Sequence, residues 1–450
     1  MPPQAADTYC ALSTEAFMKI ELINHASIIL TLDNGRVRLL SDPWFFGTCF
    51  DGGWGLKFDN PASMELAKSC THLWISHFHQ DHFHVPTLKK LLAVNPDIHV
   101  YGNHSFNFQM DEVMTGLGFK NVEALDERRK LKVNDRIQIT RFPTTGIDNM
   151  LLIESPEGNI LNYNDCNIPV SDRKRLARKI GPIDFLLNNY NHAGKLLDYP
   201  SPSPGEIKSS FKKSFVDSCN AFKPRIIVPF ASHHFYRAAE SQEQNDSLME
   251  LNELNNKDFK IVPIGVGDCA TFDDDFEYAI SHRDEITEMD QDIKLQTKDF
   301  DLETLDQAAR IYGRKMNIRF LHTLHFLPVL KIRISDMDLT VGLTGTQGLN
   351  VLDDQDDYQL ICTSESLYQW FTRLYGTDCF IVGAHFDINE GSIVPMQWQF
   401  LLGLMTENRV DFRSMIKMLF FPSGIRFLFN RREELMTMLR EKSFNTGPRK

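Results

Sequence analysis

Short aliphatic and β-branched runs alternate with polar positions from Met18 to about Asp42, and Asp33-Asn34-Gly35 breaks them. Period-two alternation around an Asn-Gly pair predicts a β-hairpin. The apolar run Leu73-Trp74-Ile75 reads as the end of a buried strand, and the charged cluster after it as the loop at its tip. Residues 86–92 read as the start of a helix, with Pro86 in its first turn. Strands are predicted at 98–101, 137–140 and 150–154, a basic surface helix at 173–180, and buried strands at 184–187 and 225–230. Asp273-Asp274-Asp275 marks a polar break. Beyond it, 301–316 and 364–375 have helical periodicity, while 329–334, 339–341 and 379–382 read as strands. The segment 415–442, with Arg426, Arg431 and Arg432, reads as a basic amphipathic helix packed on its own domain. No internal repeat or low-complexity segment is present.

A chain of 450 residues with 42% hydrophobic content exceeds what one core holds, so two domains are expected, 1–280 and 281–450. Strands and helices in alternation after an all-β start suit two sheets flanked by helices in the first, with an α+β second. A net charge of -12 argues against nucleic acid as a partner. No apolar run is long enough for a transmembrane segment, and residues 1–7 lack the basic and apolar regions of a signal peptide. The eight cysteines are scattered, which fits reduced thiols and a cytoplasmic location.

The densest chemistry is Ser76-His77-Phe78-His79-Gln80-Asp81-His82, an H-x-H-x-D-H pattern. Imidazoles two residues apart on one loop can turn toward one cation, and the adjacent carboxylate and third imidazole toward a second. Imidazole and carboxylate donors together suit zinc, iron or manganese.

This loop resembles that of the metallo-β-lactamase superfamily. Ile23-Asn24-His25-Ala26-Ser27 resembles its first strands, Ser41-Asp42-Pro43-Trp44 its "DPW" turn, and Asn164-Asp165-Cys166 its metal-bridging Asp at a strand end. The resemblance implies an αββα metallo-β-lactamase sandwich with an α+β C-terminal region, and a metalloenzyme. Within the superfamily the chain resembles most the CMP-N-acetylneuraminate hydroxylases, through 71–90, Asp148 to Cys166, and Pro224 to Ala231. It lacks their Rieske pattern: Cys70-Thr71-His72 is a lone C-x-H and no cysteine begins a C-x-x-H. No iron–sulfur cluster is therefore expected.

By this resemblance the metal ligands would be His77, His79, Asp81, His82 and Asp165, with Asp81 and Asp165 the catalytic carboxylates. Most of the superfamily has a histidine before the bridging Asp. Here 142–153 holds none, and Asp148 is the nearest candidate, which enriches the site in oxygen donors and leans it from zinc toward iron or manganese. The last ligand falls to His233 or His234, and His192 is a substrate-side candidate at another strand end. His25 reads as a structural or supporting imidazole, and His99 and His104 as surface residues. The expectation is two transition metal ions and oxygen-dependent hydroxylation of a polar small molecule, with electrons from an external donor. The alternative is zinc-dependent hydrolysis of a phosphoester, ester or amide.

Overall fold

The computed structural model describes residues 18–105, 108–144, 148–197, 201–290, 298–316, 328–344, 347–389 and 392–399. Two sheets face each other. The first runs Asn121–Leu125, His99–Ser105, His72–Trp74, Val37–Ser41, Ser27–Leu32, Met18–Asn24, Cys269–Phe272 and Tyr278–Ser281, with a short strand at its margin. The second runs Lys130–Lys132, Gln138–Pro143, Asn149–Ser155, Gly158–Asn164, Phe185–Asn188 and Ile226–Pro229.

Alternation along the strands sorts their side chains into layers. Ile28, Leu30 and Leu32 meet Leu151, Ile153, Phe185 and Leu187 between the sheets. Ile29, Leu40 and Leu73 pack outward with Leu88, Leu91 and Met114. Leu152, Leu161 and Leu186 pack outward on the other side with Phe215, Cys219 and Phe222. The result is helix, sheet, sheet, helix. Each such buried aliphatic side chain contributes roughly 1.5–3 kcal/mol, which is why both faces of both sheets are covered. Outer helices start as their sequences direct. Val85–Val94 has proline in its first turn and His84 as its N-cap, and Pro204–Phe222 carries a capping box from Ser203 and Glu206.

The expected hairpin joins Ser27–Leu32 to Val37–Ser41, with Asp33, Asn34 and Gly35 all at positive φ in the turn. The Asp273-Asp274-Asp275 run is also a turn inside the first sheet, between Cys269–Phe272 and Tyr278–Ser281. The boundary expected near 280 falls just before Thr287–Glu288, which still pairs with Phe58–Asp59 of the sandwich.

The second body has its own core. A five-stranded sheet, ordered Leu349–Val351, Leu339–Leu343, Leu330–Ile334, Leu360–Cys362 and Asp387–Ile388, packs with the helices Leu302–Lys315 and Ser364–Thr372. The helix expected over 364–375 ends at Thr372, where Arg373 turns extended. The strand expected at 379–382 is instead part of the helix Gly376–Val382, and that expectation is corrected. Four consecutive apolar residues carry no periodicity of their own. Here they serve two cores: Phe380 stacks on Trp370, while Cys379 packs with Trp44, Trp54 and Tyr236 of the sandwich. The segment 415–442 lies outside the described residues. Among the described residues no helix is long and apolar enough to cross a membrane.

Candidate metal centre

Strand ends from both sheets converge at one edge of the sandwich. The strand His72–Trp74 delivers the loop bearing His77, His79, Asp81 and His82. Asn103 pins the base of that loop, donating from Nδ2 to the carbonyls of Ile75 at 2.7 Å and Ser76 at 2.6 Å. Asn149, at the start of its strand, donates to the Ser76 carbonyl at 2.8 Å. Asp165 directly follows the strand Gly158–Asn164. Asn164 holds it there from a left-handed backbone (φ 57°), accepting from Asp165 N and donating to Asp42 Oδ2 at 2.7 Å.

Two groups of donors result, each with its ligand-capable atoms within 4.8 Å of one another: His77, His79 and Asp165, and His25, Asp81 and His82. In the first, His77 Nε2 lies 2.8 Å from His79 Nδ1, 3.8 Å from Asp165 Oδ2 and 3.7 Å from Asp148 Oδ1. In the second, Asp81 Oδ2 lies 3.1 Å from both His25 Nε2 and His82 Nε2. Asp165 Oδ2 is 3.4 Å from His82 Nε2, so its carboxylate touches both groups. Donors bound at about 2.0–2.2 Å to one ion stand roughly 3 Å apart, which is this spacing.

The electrostatics fit cations. Asp81 Oδ1, Asp165 Oδ1 and His25 Nδ1 are buried with no hydrogen-bond partner in the protein, a costly state for carboxylates that a bound cation relieves. Burial opposes charge on Asp81, yet the imidazoles of His82 and His25 hold its carboxyl well below the usual range. Burial likewise opposes charge on His82, but Asp81, Asp165 and Asp42 push its pKa well above the ordinary value. Burial and the neighbouring His82 push His77 well below it. A proton on His82 thus balances the carboxylates, and a metal ion taking its place would release that proton.

Asp42 is a supporting residue that sequence reasoning did not place in the site. Its Oδ2 lies 3.2 Å from His82 Nδ1 and its Oδ1 accepts from Ser76 N at 2.7 Å, which leaves His82 Nε2 for the metal side. The signal was present in the "DPW" turn. His25 likewise sits among the donors themselves. It occupies the turn between Met18–Asn24 and Ser27–Leu32 in a left-handed backbone (φ 32°), with Asn24 Oδ1 accepting from its amide.

The other candidates lie farther out. His234, in the strand His234–Tyr236, stacks on Trp54 at 3.9 Å and meets the His25 ring edge-on at 5.3 Å. Neither of its nitrogens has a hydrogen-bond partner, and burial pushes its pKa well down. His233 faces Phe58 and Tyr190, outside both groups. His192 is buried behind this layer: Nδ1–H donates to the Gly194 carbonyl at 3.0 Å, and the Ser247 hydroxyl is 2.6 Å from Nε2. Burial lowers its pKa to about 4. His99 pairs with Glu123 and His104 with Asp111, away from the centre.

The four-layer order, with its donor loop at the sandwich edge, is the αββα sandwich that the resemblance to the metallo-β-lactamase superfamily implies. In sequence the chain is similar to proteins named cytidine monophosphate-N-acetylneuraminic acid hydroxylase. The chain is 27% identical over 260 residues to the inactive cytidine monophosphate-N-acetylneuraminic acid hydroxylase of Homo sapiens, covering 53% of this chain and 50% of that protein. The hydroxylase of Gorilla gorilla gorilla matches at 27% over 260 residues, covering 53% and 42%. The match spans half or less of the length of these relatives. No protein-family model matches the sequence. Among solved structures, CmlA, a diiron β-hydroxylase from Streptomyces venezuelae, aligns with a TM-score of 0.40 at 16% identity, covering 58% of this chain and 54% of that one.

Proposed function

We propose that the chain is a dinuclear metalloenzyme that hydroxylates a polar small molecule with dioxygen and electrons from an external donor. The observation that carries this reading is the donor set: four imidazoles (His25, His77, His79, His82) and three carboxylates (Asp81, Asp148, Asp165), with Asp165 reaching both groups. Nitrogen and oxygen donors without thiolate, and with Asp148 where a further imidazole would favour zinc, suit iron. The sequence similarity to hydroxylases supports the same direction.

In this reading His77, His79, Asp148 and Asp165 would hold one ion, and His25, Asp81, His82 and Asp165 the other. When bound, the two ions supply dioxygen binding and its reduction. The remaining work belongs to the chain. Asp165, whose carboxylate reaches both donor groups, would serve both ions. Asp42 keeps the proton of His82 on Nδ1, and Ser76 Oγ, 2.9 Å from His77 Nδ1, orients that ring. Trp44, Trp54 and Phe50, all buried, close the side around His25 and His79 against water. The balance of the reaction is one oxygen atom inserted into a C–H bond and one released as water, with two electrons and two protons consumed.

Metal analysis combined with oxygen uptake tests this. Two irons per chain, with uptake that needs a chemical reductant or a ferredoxin-type donor, is the expected result. Two zinc ions with anaerobic turnover of a phosphoester, ester or amide would replace the oxygenase by a hydrolase.

A further inference from the structure

The second body reaches the metal loop itself. Gln80, half-buried, stands in sequence between His79 and Asp81. Its Oε1 accepts from Phe50 N at 2.6 Å, and its Nε2 lies 3.1 Å from Cys379 Sγ on the helix Gly376–Val382. His385, just past that helix and buried, has Nε2 2.6 Å from the Phe50 carbonyl, to which it donates. Phe50 is thus held at both backbone groups. Its ring meets the His79 ring edge-on at 6.1 Å and the Trp54 ring at 4.8 Å.

The turn so held is not relaxed. Phe50 and Asp51 both sit in the left-handed region, at φ 52° and 53°. Such backbone is costly for residues other than glycine and persists where its surroundings fix it. The same turn touches the second body main chain to main chain: a Cβ on Gly53 would collide with the Gly383 carbonyl oxygen. Arg373 adds an ion pair to Asp51 at 3.6 Å.

We propose that the second body is a working part of the metal centre: His385 and the Gly376–Val382 helix clamp the 48–53 turn, and Gln80 passes that constraint to the loop carrying His79 and Asp81. Gln80 and His385 are positioning residues in this arrangement. The inference rests on the metal-centre reading above. Groups that orient ligands without binding the ion change metal affinity by about 10–100-fold when removed. A merely structural contact would change thermal stability and leave the ion's surroundings alone.

The test uses the full chain, titrated anaerobically with Co(II) and followed by visible absorption and dissociation constants, with thermal midpoints measured alongside. His385→Ala and Gln80→Ala are expected to weaken Co(II) binding by about 10-fold or more and to shift the visible bands. His385→Gln, which keeps an N–H donor for the Phe50 carbonyl, is expected to restore both. Gly53→Ala leaves every donor in place and wedges the turn from the second body, so it is expected to act like His385→Ala. If His385→Ala does not fold, Gln80→Ala and Gly53→Ala carry the same comparison. Folded variants with the affinity and spectrum of the unaltered chain would overturn the inference while leaving the metal centre standing. An unaltered chain that takes up no Co(II) would overturn the metal centre and this inference with it.

Discussion

Replacing His25 by alanine separates two assignments of the second metal group. The geometry puts His25 Nε2 at 3.1 Å from Asp81 Oδ2, the same distance as His82 Nε2, whereas His234 approaches only the His25 ring. In the proposed arrangement, removing His25 takes one of four donors from the second ion and leaves Asp81, His82 and Asp165. It also strips Asp81 of one of the two imidazoles that hold its carboxyl ionised, so proton competition grows as affinity falls. Loss of even an outer partner costs about 10–100-fold in affinity, or roughly 1.4–3 kcal/mol, and a lost donor is expected to reach at least that range. The first group, His77, His79 and Asp165, keeps all its donors. The expected outcome is therefore selective. Stoichiometry by elemental analysis after gel filtration falls from two ions per chain toward one, and calorimetric titration shows the weaker step alone displaced. His234→Ala, by contrast, is expected to keep both ions. If His25→Ala retained two ions at unchanged affinity while His234→Ala lost one, the assignment of His25 would be wrong.

Three further outcomes are expected. Asp165→Ala removes the carboxylate common to both groups, so both ions are expected to be lost, and a variant retaining two by elemental analysis would break the shared-carboxylate picture. Asp148→Ala is expected to lower occupancy of the first group, while Asp148→His, which substitutes another donor, is expected to recover it with a preference shifted from iron toward zinc in competition titrations. Acid sensitivity should follow His192: burial lowers its folded pKa from 6.5 to about 4, so the unfolded chain binds a proton that the folded chain refuses. Stability from this group is full above about pH 6.5 and falls as pH drops toward 4, by about 2 kcal/mol at pH 5. Urea unfolding at pH 7 and pH 5 measures it, and His192→Gln should flatten the difference; an equally steep loss in that variant would place the effect elsewhere.

The sequence by itself determined the layers and named most of the side chains that the structure gathers at the sandwich edge. Alternation at 27–32 and 149–155 sorts side chains between two faces whatever else the chain does, because strand geometry is local. The H-x-H-x-D-H loop brings its donors together because they lie within six residues, and Asp165 was legible as the polar end of an apolar strand. Tertiary structure decided what depended on distant strand ends meeting. His25 precedes Asp81 by 56 residues, and nothing in its own turn signals that its Nε2 will reach that carboxylate in preference to His233 or His234. Asp42 looked like part of a turn until His82 lay across it. The apolar run 379–382 was ambiguous for the same reason. Its residues satisfy two cores at once, and only a helix spreads neighbours over both. Hydrophobic pattern is written residue by residue along the chain, whereas the company a donor keeps is set by which edges of two sheets close on each other.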